Sequence, residues 1–482
     1  MYVEIVMTTL QYKAWSVVVM STLSFTVCFM IWMMFAVIGI PIKHTLGLNE
    51  TEFGILIAMP VLTGSLARLP LGMLTDKFGG RVVFFVLMLS TVIPIWMISR
   101  ATEFWQFLVV GLFVGIAGGS FTVGISYCAR WFPRKRQGLA MGIFGAGNTG
   151  AALTKLIAPS IVVAFGWAMV PKVYAVLMLV TAILFWAFTY SDPAHKVGKT
   201  VTVREQLAAL KDPKVWRYSQ YYSIVFGGYV ALALWMTEYY VSEYGFDLRT
   251  AALLAAAFSI PGGLLRAIGG YFSDKFGAHT MTWWVLWVSL VCLFFLSYPQ
   301  TEFTIHTVSG PQTFHVGLGP TLFTIIMFTM GTAFALGKAS VFKYISDDYP
   351  KNIGVVSGVV GLAGGMGGFL MPIMFGALVD LTGIRSSAFM LMFAVVWISL
   401  MWMYWTEVRP MTVAQGAKQE FAADSAMDME SDGLTGADVM EAIRKIPGYL
   451  DITTKDFLTI HRLAHHSAAE RLNANTTYRK KT

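Results

Sequence analysis

Apolar residues form long segments along this chain, and short polar stretches separate them up to about residue 406. Each segment approaches the roughly 20 residues that an α-helix needs to cross a bilayer. The pattern predicts an all-α integral membrane protein with twelve transmembrane helices. Their approximate bounds are 14–40, 52–74, 82–99, 103–129, 137–165, 169–190, 218–241, 249–273, 280–298, 318–344, 353–380 and 386–406.

The longest polar connection between helices, residues 191–217, divides the helices into two groups of six. The sequence therefore predicts an N-terminal half over 1–190, a linker over 191–217, a C-terminal half over 218–410 and a tail over 411–482. At the end of the linker, Asp212 precedes Pro213. This pair is typical of a helix start, with the aspartate as cap and the proline at the first helical position.

The two groups of helices repeat each other around the ends of the second and eighth helices. Seven residues recur there, and every pair is separated by the same 198 residues. They are Gly64, Arg68, Gly72, Asp76, Lys77, Phe78 and Gly79, which recur as Gly262, Arg266, Gly270, Asp274, Lys275, Phe276 and Gly277. Parallel repeats of this kind predict two pseudo-symmetric six-helix halves, with a substrate site between them near the middle of the membrane.

Composition and charge agree with a membrane protein and argue against a soluble domain, a nucleic-acid-binding protein and an enzyme. The chain is 56% hydrophobic and only 13% charged, whereas soluble domains average about 25% charged residues. Lys and Arg concentrate in the loops after the second, fourth and sixth helices, so we expect these loops and both termini in the cytoplasm. This bias explains the net charge of +8 without a nucleic-acid partner. No metal-ligand spacing, cofactor motif or nucleophile–base pair is present in the sequence, which predicts no metal, no cofactor and no enzyme activity.

Two arginines are placed where charge is costly. Arg68 and Arg266 each lie about two helical turns before a loop aspartate, and therefore inside the membrane. An arginine there costs about 2.5–3.5 kcal/mol on insertion scales, so two at equivalent positions predict a shared function. Two guanidiniums that face each other repel unless an anion lies between them. Their paired donors suit a planar oxyanion.

The loop after the second helix reads GMLTDKFGGR from Gly72 to Arg81. It resembles the G-x-x-x-D-K-x-G-G-R signature of the major facilitator superfamily, and this resemblance implies the major facilitator fold. A weaker copy from Gly270 lacks the final glycine and arginine. We predict that Asp76, Arg81 and Asp274 form conformational latches, which hold in one state and break in the other.

The fifth helix carries the run GIFGAGNTGAALTKLIAP, in which Asn148 is an amide in an otherwise apolar helix. This run and the paired arginines resemble the nitrate/nitrite porter family, over residues 14–406. The resemblance implies a bacterial inner-membrane protein whose substrate is nitrate, with nitrite as a second candidate, and we expect a monomer in the lipid bilayer. It further implies that Arg68 and Arg266 hold the anion, that Asn148 donates to it, and that aromatic rings enclose it: Phe121, Tyr218 and Tyr222.

Three lysines within the spans need an explanation. Lys155 lies two turns after Asn148 on the same helix face, and Lys338 corresponds to Phe121 by pseudo-symmetry, so both should face the cavity. Lys343 lies nearer the cytoplasm. Extension of its side chain to the membrane surface and a position on the transport pathway explain this lysine equally well. No Asp or Glu falls in the middle of a span. The lysines are therefore the candidates for exchanging a coupled proton.

The sequence predicts nitrate/proton symport by alternating access, because the lysines of the tenth helix resemble the symporting branch of the porter family. Two other functions stay open. A nitrate/nitrite antiporter exchanges like anions and needs no proton site. An anion receptor with a transporter-like body would signal through the tail.

Overall fold

The structure is a computed structural model that describes residues 2–132, 134–191, 210–349, 353–410 and 412. The chain forms two compact units, residues 1–401 and 402–482. The first unit contains the candidate site. The described part of the second unit contains the last residues of the helix Ser387–Met403 and a π-helical turn, Tyr404–Val408. The remainder of the predicted tail lies outside the described residues, apart from Thr412.

Eleven helices among the described residues are long and apolar enough to cross a membrane, and a bent pair makes the twelfth. These helices confirm the twelve that the apolar segments predict. We number them as spans 1–12, with spans 1–6 in the first half and 7–12 in the second. They are Leu10–Leu46, Glu50–Phe78, Gly80–Ile98, Phe104–Arg130, Ala140–Phe165, Met169–Phe188, Pro213–Tyr244, Leu248–Leu264 with Arg266–Phe276, Ala278–Leu296, Pro320–Asp348, Val355–Thr382 and Ser387–Val408.

Spans 1, 2, 4, 5, 7 and 8 are each built from shorter helical segments. Two of the interruptions are 3₁₀-helical, Ile116–Gly119 and Ala146–Thr149, and the glycines within and directly beside them weaken a regular α-helix. Non-α turns inside helices are frequent at functional sites. The α-helical segments are Tyr2–Trp32 and Phe35–Leu46, Glu50–Leu66 and Arg68–Phe78, Phe104–Gly115 and Ser120–Arg130, Arg134–Gly145 and Gly150–Phe165, Pro213–Tyr222 and Tyr229–Tyr244, and Leu248–Leu264 and Arg266–Phe276.

A two-stranded antiparallel hairpin connects spans 9 and 10. Its strands are β1, Thr301–Thr307, and β2, Gly310–Val316. Gly310 closes the turn with a φ of 109°, which glycine adopts without strain. The apolar pattern does not predict this element, because both strands are short and exposed. We call the membrane face that carries it the hairpin face, and the opposite face, where residues 191–212 connect the halves, the linker face.

The two halves are joined at the hairpin face. The carboxylate of Asp380, near the end of span 11, accepts hydrogen bonds from the backbone amides of Glu50 and Thr51 at 3.1 and 2.8 Å. It therefore caps the first turn of span 2, where unpaired amides attract negative charge. Lys43 of span 1 forms an ion pair with Glu238 of span 7 at 2.5 Å. The structure is thus closed at the hairpin face.

Glycine permits this close approach of spans 2 and 11. A Cβ at Gly376 would lie 2.8 Å from Thr51 Cα and would overlap the carbonyl oxygen of Glu50. We expect Gly376→Ala to separate the two spans and lower the free energy of unfolding by about 1–3 kcal/mol, the usual cost of overpacking. Thermal unfolding in detergent measures this loss. Gly270→Ala is the matched control, because a Cβ at Gly270 meets nothing within 4 Å; equal loss in both variants would contradict the steric explanation.

The helix start predicted at Asp212 is confirmed. The Asp212 carboxylate accepts a hydrogen bond from Lys214 N at 2.9 Å, and Pro213 occupies the first helical position. Tyr349 also donates to this carboxylate, and that hydrogen bond lowers the pKa of Asp212. Span 7 therefore begins five residues before the predicted start of the C-terminal half at 218. Most of the predicted linker, residues 192–209, lies outside the described residues.

Candidate functional site

Arg68 and Arg266 each begin a helical segment directly after a break. The first segment of span 2 ends at Leu66, and the first segment of span 8 ends at Leu264. The two segments of span 8 meet at an angle of 48°. The breaks are at equivalent positions, so the repeat in the sequence is also a repeat in the backbone. Both arginines are buried, with 4% and 9% of their surface exposed.

The guanidinium of Arg68 connects the first half to the second. Its Nη1 donates to the carbonyl oxygen of Gly361 in span 11 at 2.8 Å. Its central carbon lies 4.9 Å from the ring centroid of Phe226 in span 7. An arginine over an aromatic face gains a favourable cation–π interaction, which is strongest away from water. Arg68 therefore contacts two spans of the opposite half, 7 and 11.

Phe121 of span 4 contacts both guanidiniums. The centroid of its ring lies 5.9 Å from the central carbon of Arg68 and 5.0 Å from that of Arg266. The predicted placement of Phe121 beside the two arginines agrees with these distances. Arginines from opposite halves therefore share one aromatic neighbour.

Further aromatic rings surround the arginines. Tyr222 stacks on Phe226, with centroids 5.1 Å apart and planes 5° from parallel, and its edge meets Phe342 at 5.2 Å. Phe342 also lies 5.4 Å from the guanidinium of Arg266. Phe226 and Phe342 are not predicted from the sequence, because an aromatic residue in an apolar helix most often serves only to pack against its neighbours. Their spacing of four residues from Tyr222 and Lys338 is the signal that places them on the same helix faces.

Several buried polar atoms around the arginines have no hydrogen-bond partner within the described residues. They are Arg68 Nε, Arg266 Nη1, both amide atoms of Asn148 and the hydroxyl of Tyr222. Asn148 is fully buried in the 3₁₀ turn of span 5, and its neighbour Gly145 lies against Arg266, where a Cβ would be 3.3 Å from Cδ. Buried donors are normally paired. This set has the chemistry needed to hold an oxygen-rich anion.

Lys155 and Lys338 are also buried, at 1% and 0% exposure. Lys155 Nζ donates to the hydroxyl of Ser259 at 2.5 Å, and Lys338 Nζ donates to the carbonyl oxygen of Gly262 at 2.6 Å. Lys338 Nζ also lies 3.5 Å from the ring centroid of Tyr229, whose hydroxyl donates to the backbone oxygen of Ser259. One turn of span 8 thus contacts both amines, although they come from opposite halves. Ser259 and Tyr229 were not predicted, because such contacts join residues far apart in the chain.

The remaining predicted residues lie at the linker face. Asp76 pairs with Arg130 at the end of span 4, and Asp274 lies 3.5 Å from Lys343 near the end of span 10. Each loop aspartate therefore pairs with a base on the fourth helix of its own half. Lys343 also pairs with Asp347 at 2.7 Å, so its amine is engaged away from the arginines. The role of these pairs as latches stays a prediction.

Two predicted residues make other contacts. Arg81 donates to the carbonyl oxygen of Trp186 at 2.6 Å and lies over the ring of that tryptophan. Tyr218 donates to Asp348 at 2.5 Å and stacks on Tyr344, with centroids 4.8 Å apart. Tyr222 therefore packs on the two rings that contact the guanidiniums, Phe226 and Phe342, whereas Tyr218 contacts Asp348 and Tyr344.

Twelve spans in two repeated halves, with buried cations between them, define a membrane transporter. The Major Facilitator Superfamily model matches residues 20–372. The chain belongs to the major facilitator superfamily, as the loop signature predicts.

Relatives with nitrate and nitrite transport names match most of the chain. A probable nitrate/nitrite antiporter NarK1 of Thermus thermophilus is 38% identical over 416 residues, which is 83% of this chain and 94% of the relative. A nitrite extrusion protein of Bacillus subtilis strain 168 is 30% identical over 80% of this chain and 94% of its own length. A probable nitrate transporter NarT of Staphylococcus haemolyticus is 29% identical over 77% and 92%. The resemblance to nitrate/nitrite porters is thereby confirmed, and these relatives are transporters rather than enzymes.

The fold also matches a solved transporter. A bacterial homolog of the human lysosomal transporter Spinster, in an inward-facing and occupied conformation, superposes with a TM-score of 0.62. The match covers 82% of this chain and 96% of that one, at 16% identity. The predicted major facilitator fold is therefore confirmed.

Proposed function

We propose that this protein takes up nitrate together with protons by alternating access. One observation carries the proposal: guanidiniums from opposite halves, Arg68 and Arg266, converge on the ring of Phe121 in a buried region. Neither forms an ion pair with a carboxylate among the described residues. Two uncompensated buried cations are costly, and a bound anion compensates them.

The donors favour a planar anion with several oxygens. Nitrate has three oxygens in one plane, and a guanidinium donates two parallel hydrogen bonds in its own plane. Arg68 Nε, Arg266 Nη1 and Asn148 Nδ2 are the buried donors available for this purpose. The surrounding rings exclude water, which strengthens each ionic contact. The names of the relatives support nitrate and nitrite as the anions.

Lys155 and Lys338 are proposed to carry the coupled protons. Each amine contacts only uncharged groups among the described residues, a hydroxyl or a carbonyl, and Lys338 also contacts a ring. A buried ammonium without a counter-ion is unfavourable. Nitrate at Arg266 supplies a negative charge one and two turns along span 8 from Gly262 and Ser259, the residues that accept from the two amines. Anion and protons therefore bind together.

Two proton-binding amines make uptake energetically possible. Moving one negative charge inward costs about 2.3 kcal/mol per 100 mV of inside-negative potential. One proton cancels that charge, and a second makes the net movement inward-positive. The membrane potential then drives nitrate uptake.

The proposed setting is the inner membrane of a bacterium, with the linker face in the cytoplasm. Bases in the loops and at the helix ends of the linker face support this orientation under the positive-inside rule: Lys77, Arg81, Arg130, Lys211, Lys214 and Arg217. The hairpin and the closed face would then be on the outer side.

Exchange of nitrate for nitrite is the second candidate, and the antiporter name of the Thermus relative favours it. Proteoliposomes separate the two functions. Symport predicts nitrate uptake into vesicles without internal nitrite when the outside is acidic, and little effect of loading nitrite. Uptake that requires internal nitrite and ignores the pH gradient would support exchange and overturn symport.

A further inference from the structure

The most deeply buried carboxylate in the described spans is Glu238, near the hairpin-face end of span 7. The residue is 1% exposed. Its Oε1 accepts hydrogen bonds from Lys43 Nζ at 2.5 Å and from the hydroxyl of Ser242 at 2.7 Å. Its Oε2 is buried and has no hydrogen-bond partner among the described residues. One oxygen of a buried carboxylate is therefore unsatisfied.

Glu238 belongs to a group of charges that we call the hairpin-face cluster. Lys43 bridges Glu238 and Glu50, and Arg385 lies 3.2 Å from Glu50 and 3.8 Å from Glu243. Asp380 joins through the amides at the start of span 2. The members are Lys43, Glu50, Glu238, Glu243, Asp380 and Arg385. Four carboxylates thus meet two cations, and the cluster carries an excess of negative charge.

The other neighbours of this part of span 7 do not supply a further cation in the contacts of the described residues. Span 10 presents Phe323 to Tyr239 and the hydroxyl of Thr324 to Tyr240. Span 2 presents Phe53 and span 11 presents Phe375 to Trp235, one turn before Glu238. Lys43 is therefore the cation that compensates Glu238.

The ion pair of Lys43 with Glu238 joins the two halves, since span 1 belongs to the first and span 7 to the second. Alternating access requires the halves to separate at the hairpin face, and this pair must then break. Breaking a buried pair leaves an uncompensated charge, which is strongly unfavourable. A proton on Glu238 removes that charge, and Oε2 has no other hydrogen-bond partner.

We propose that Glu238 is a proton-binding site that controls opening of the hairpin face. When Glu238 is ionised, it holds Lys43 and keeps the halves together. A proton taken from the solution at the hairpin face neutralises Glu238, and Lys43 remains paired with Glu50. The halves then separate with no buried charge unpaired. This control concerns the gate and holds for whichever anion is transported.

The test measures the distance across the hairpin face as a function of pH. Spin labels at His44→Cys and Arg249→Cys report on spans 1 and 8, from opposite halves, at exposed positions. In nanodiscs without nitrate, we expect the ratio of long to short distances to rise as the pH falls, by up to about tenfold per pH unit for one carboxylate. The nitrate-free condition separates this proposal from the proposed transport function.

Glu238→Gln mimics the protonated residue and should show the long distance at every pH. Lys43→Gln removes the partner and should likewise abolish the pH response, so it decides the question if Glu238→Gln does not fold. Glu302→Gln is the control, because Glu302 lies exposed on β1 at the same face and should retain the wild-type response. A pH response that persists in either Glu238→Gln or Lys43→Gln would overturn the proposal.

Discussion

Arg68→Lys or Arg266→Lys is expected to reduce nitrate transport by about 100-fold in kcat/KM. Lysine keeps the charge but loses the planar pair of donors, and a hydrogen bond to a charged group contributes about 1.5–3 kcal/mol. Arg68→Lys also loses the orientation of Nη1 that reaches Gly361 across the halves. Initial rates of nitrate uptake into proteoliposomes, over a range of nitrate concentrations, measure the loss.

Arg100→Lys is the matched control for this pair. Arg100 lies exposed after span 3 at the hairpin face, contacts the ring of Trp96, and is not part of the anion site. We expect it to retain transport within a few-fold of the wild type. Full nitrate affinity in Arg68→Lys would show that charge alone suffices, and the paired-donor account would then be wrong.

Lys338→Gln is expected to change the coupling of nitrate to protons. With the membrane potential held at zero, two coupled protons predict that nitrate accumulates about 100-fold per unit of pH gradient, since each proton contributes about tenfold. Lys338→Gln leaves one proton-binding amine and should accumulate nitrate about tenfold. Lys155→Gln should behave in the same way, and the double variant should not accumulate nitrate at all. Steady-state internal nitrate measures each ratio.

Lys343→Gln is the control for the lysine variants. Its amine pairs with Asp347 and Asp274 at the linker face, so it should accumulate nitrate as the wild type does. Accumulation that is unchanged in both Lys155→Gln and Lys338→Gln would exclude these amines as the proton carriers.

The arginines were predictable from the sequence because the cost of a membrane-embedded charge and a constant repeat distance single them out. The partners of Arg68 were not. Gly361 is 293 residues away along the chain, and Phe226 has no charged or hydrogen-bonding group that would mark it in the sequence. Only the packing of the halves brings these two residues to the guanidinium. Tyr218 and Tyr222 are one turn apart and predict a shared face, yet Tyr218 is held by Asp348 at the linker face.

The contacts of the hairpin-face cluster were not predictable from the sequence either. Glu238 is close to the end of span 7, and the sequence places it near the membrane surface. Its ion-pair partner Lys43 is 195 residues away, and its neighbours Trp235 and Tyr239 in span 7 pack against aromatic residues of spans 2, 10 and 11. Helix periodicity locates a residue along a span and around it, but does not say which residue of another span covers it.

Coupled movement of protons with nitrate is tested most directly by the current across a membrane that contains the purified protein. With equal nitrate on both sides and the outside more acidic by one pH unit, symport of two protons per nitrate predicts an inward-positive current. This current should reverse at an inside-positive potential of roughly 120 mV. The current should disappear when nitrate is removed from both sides. Nitrate movement without current, or a reversal potential that does not shift with the pH gradient, would contradict the account.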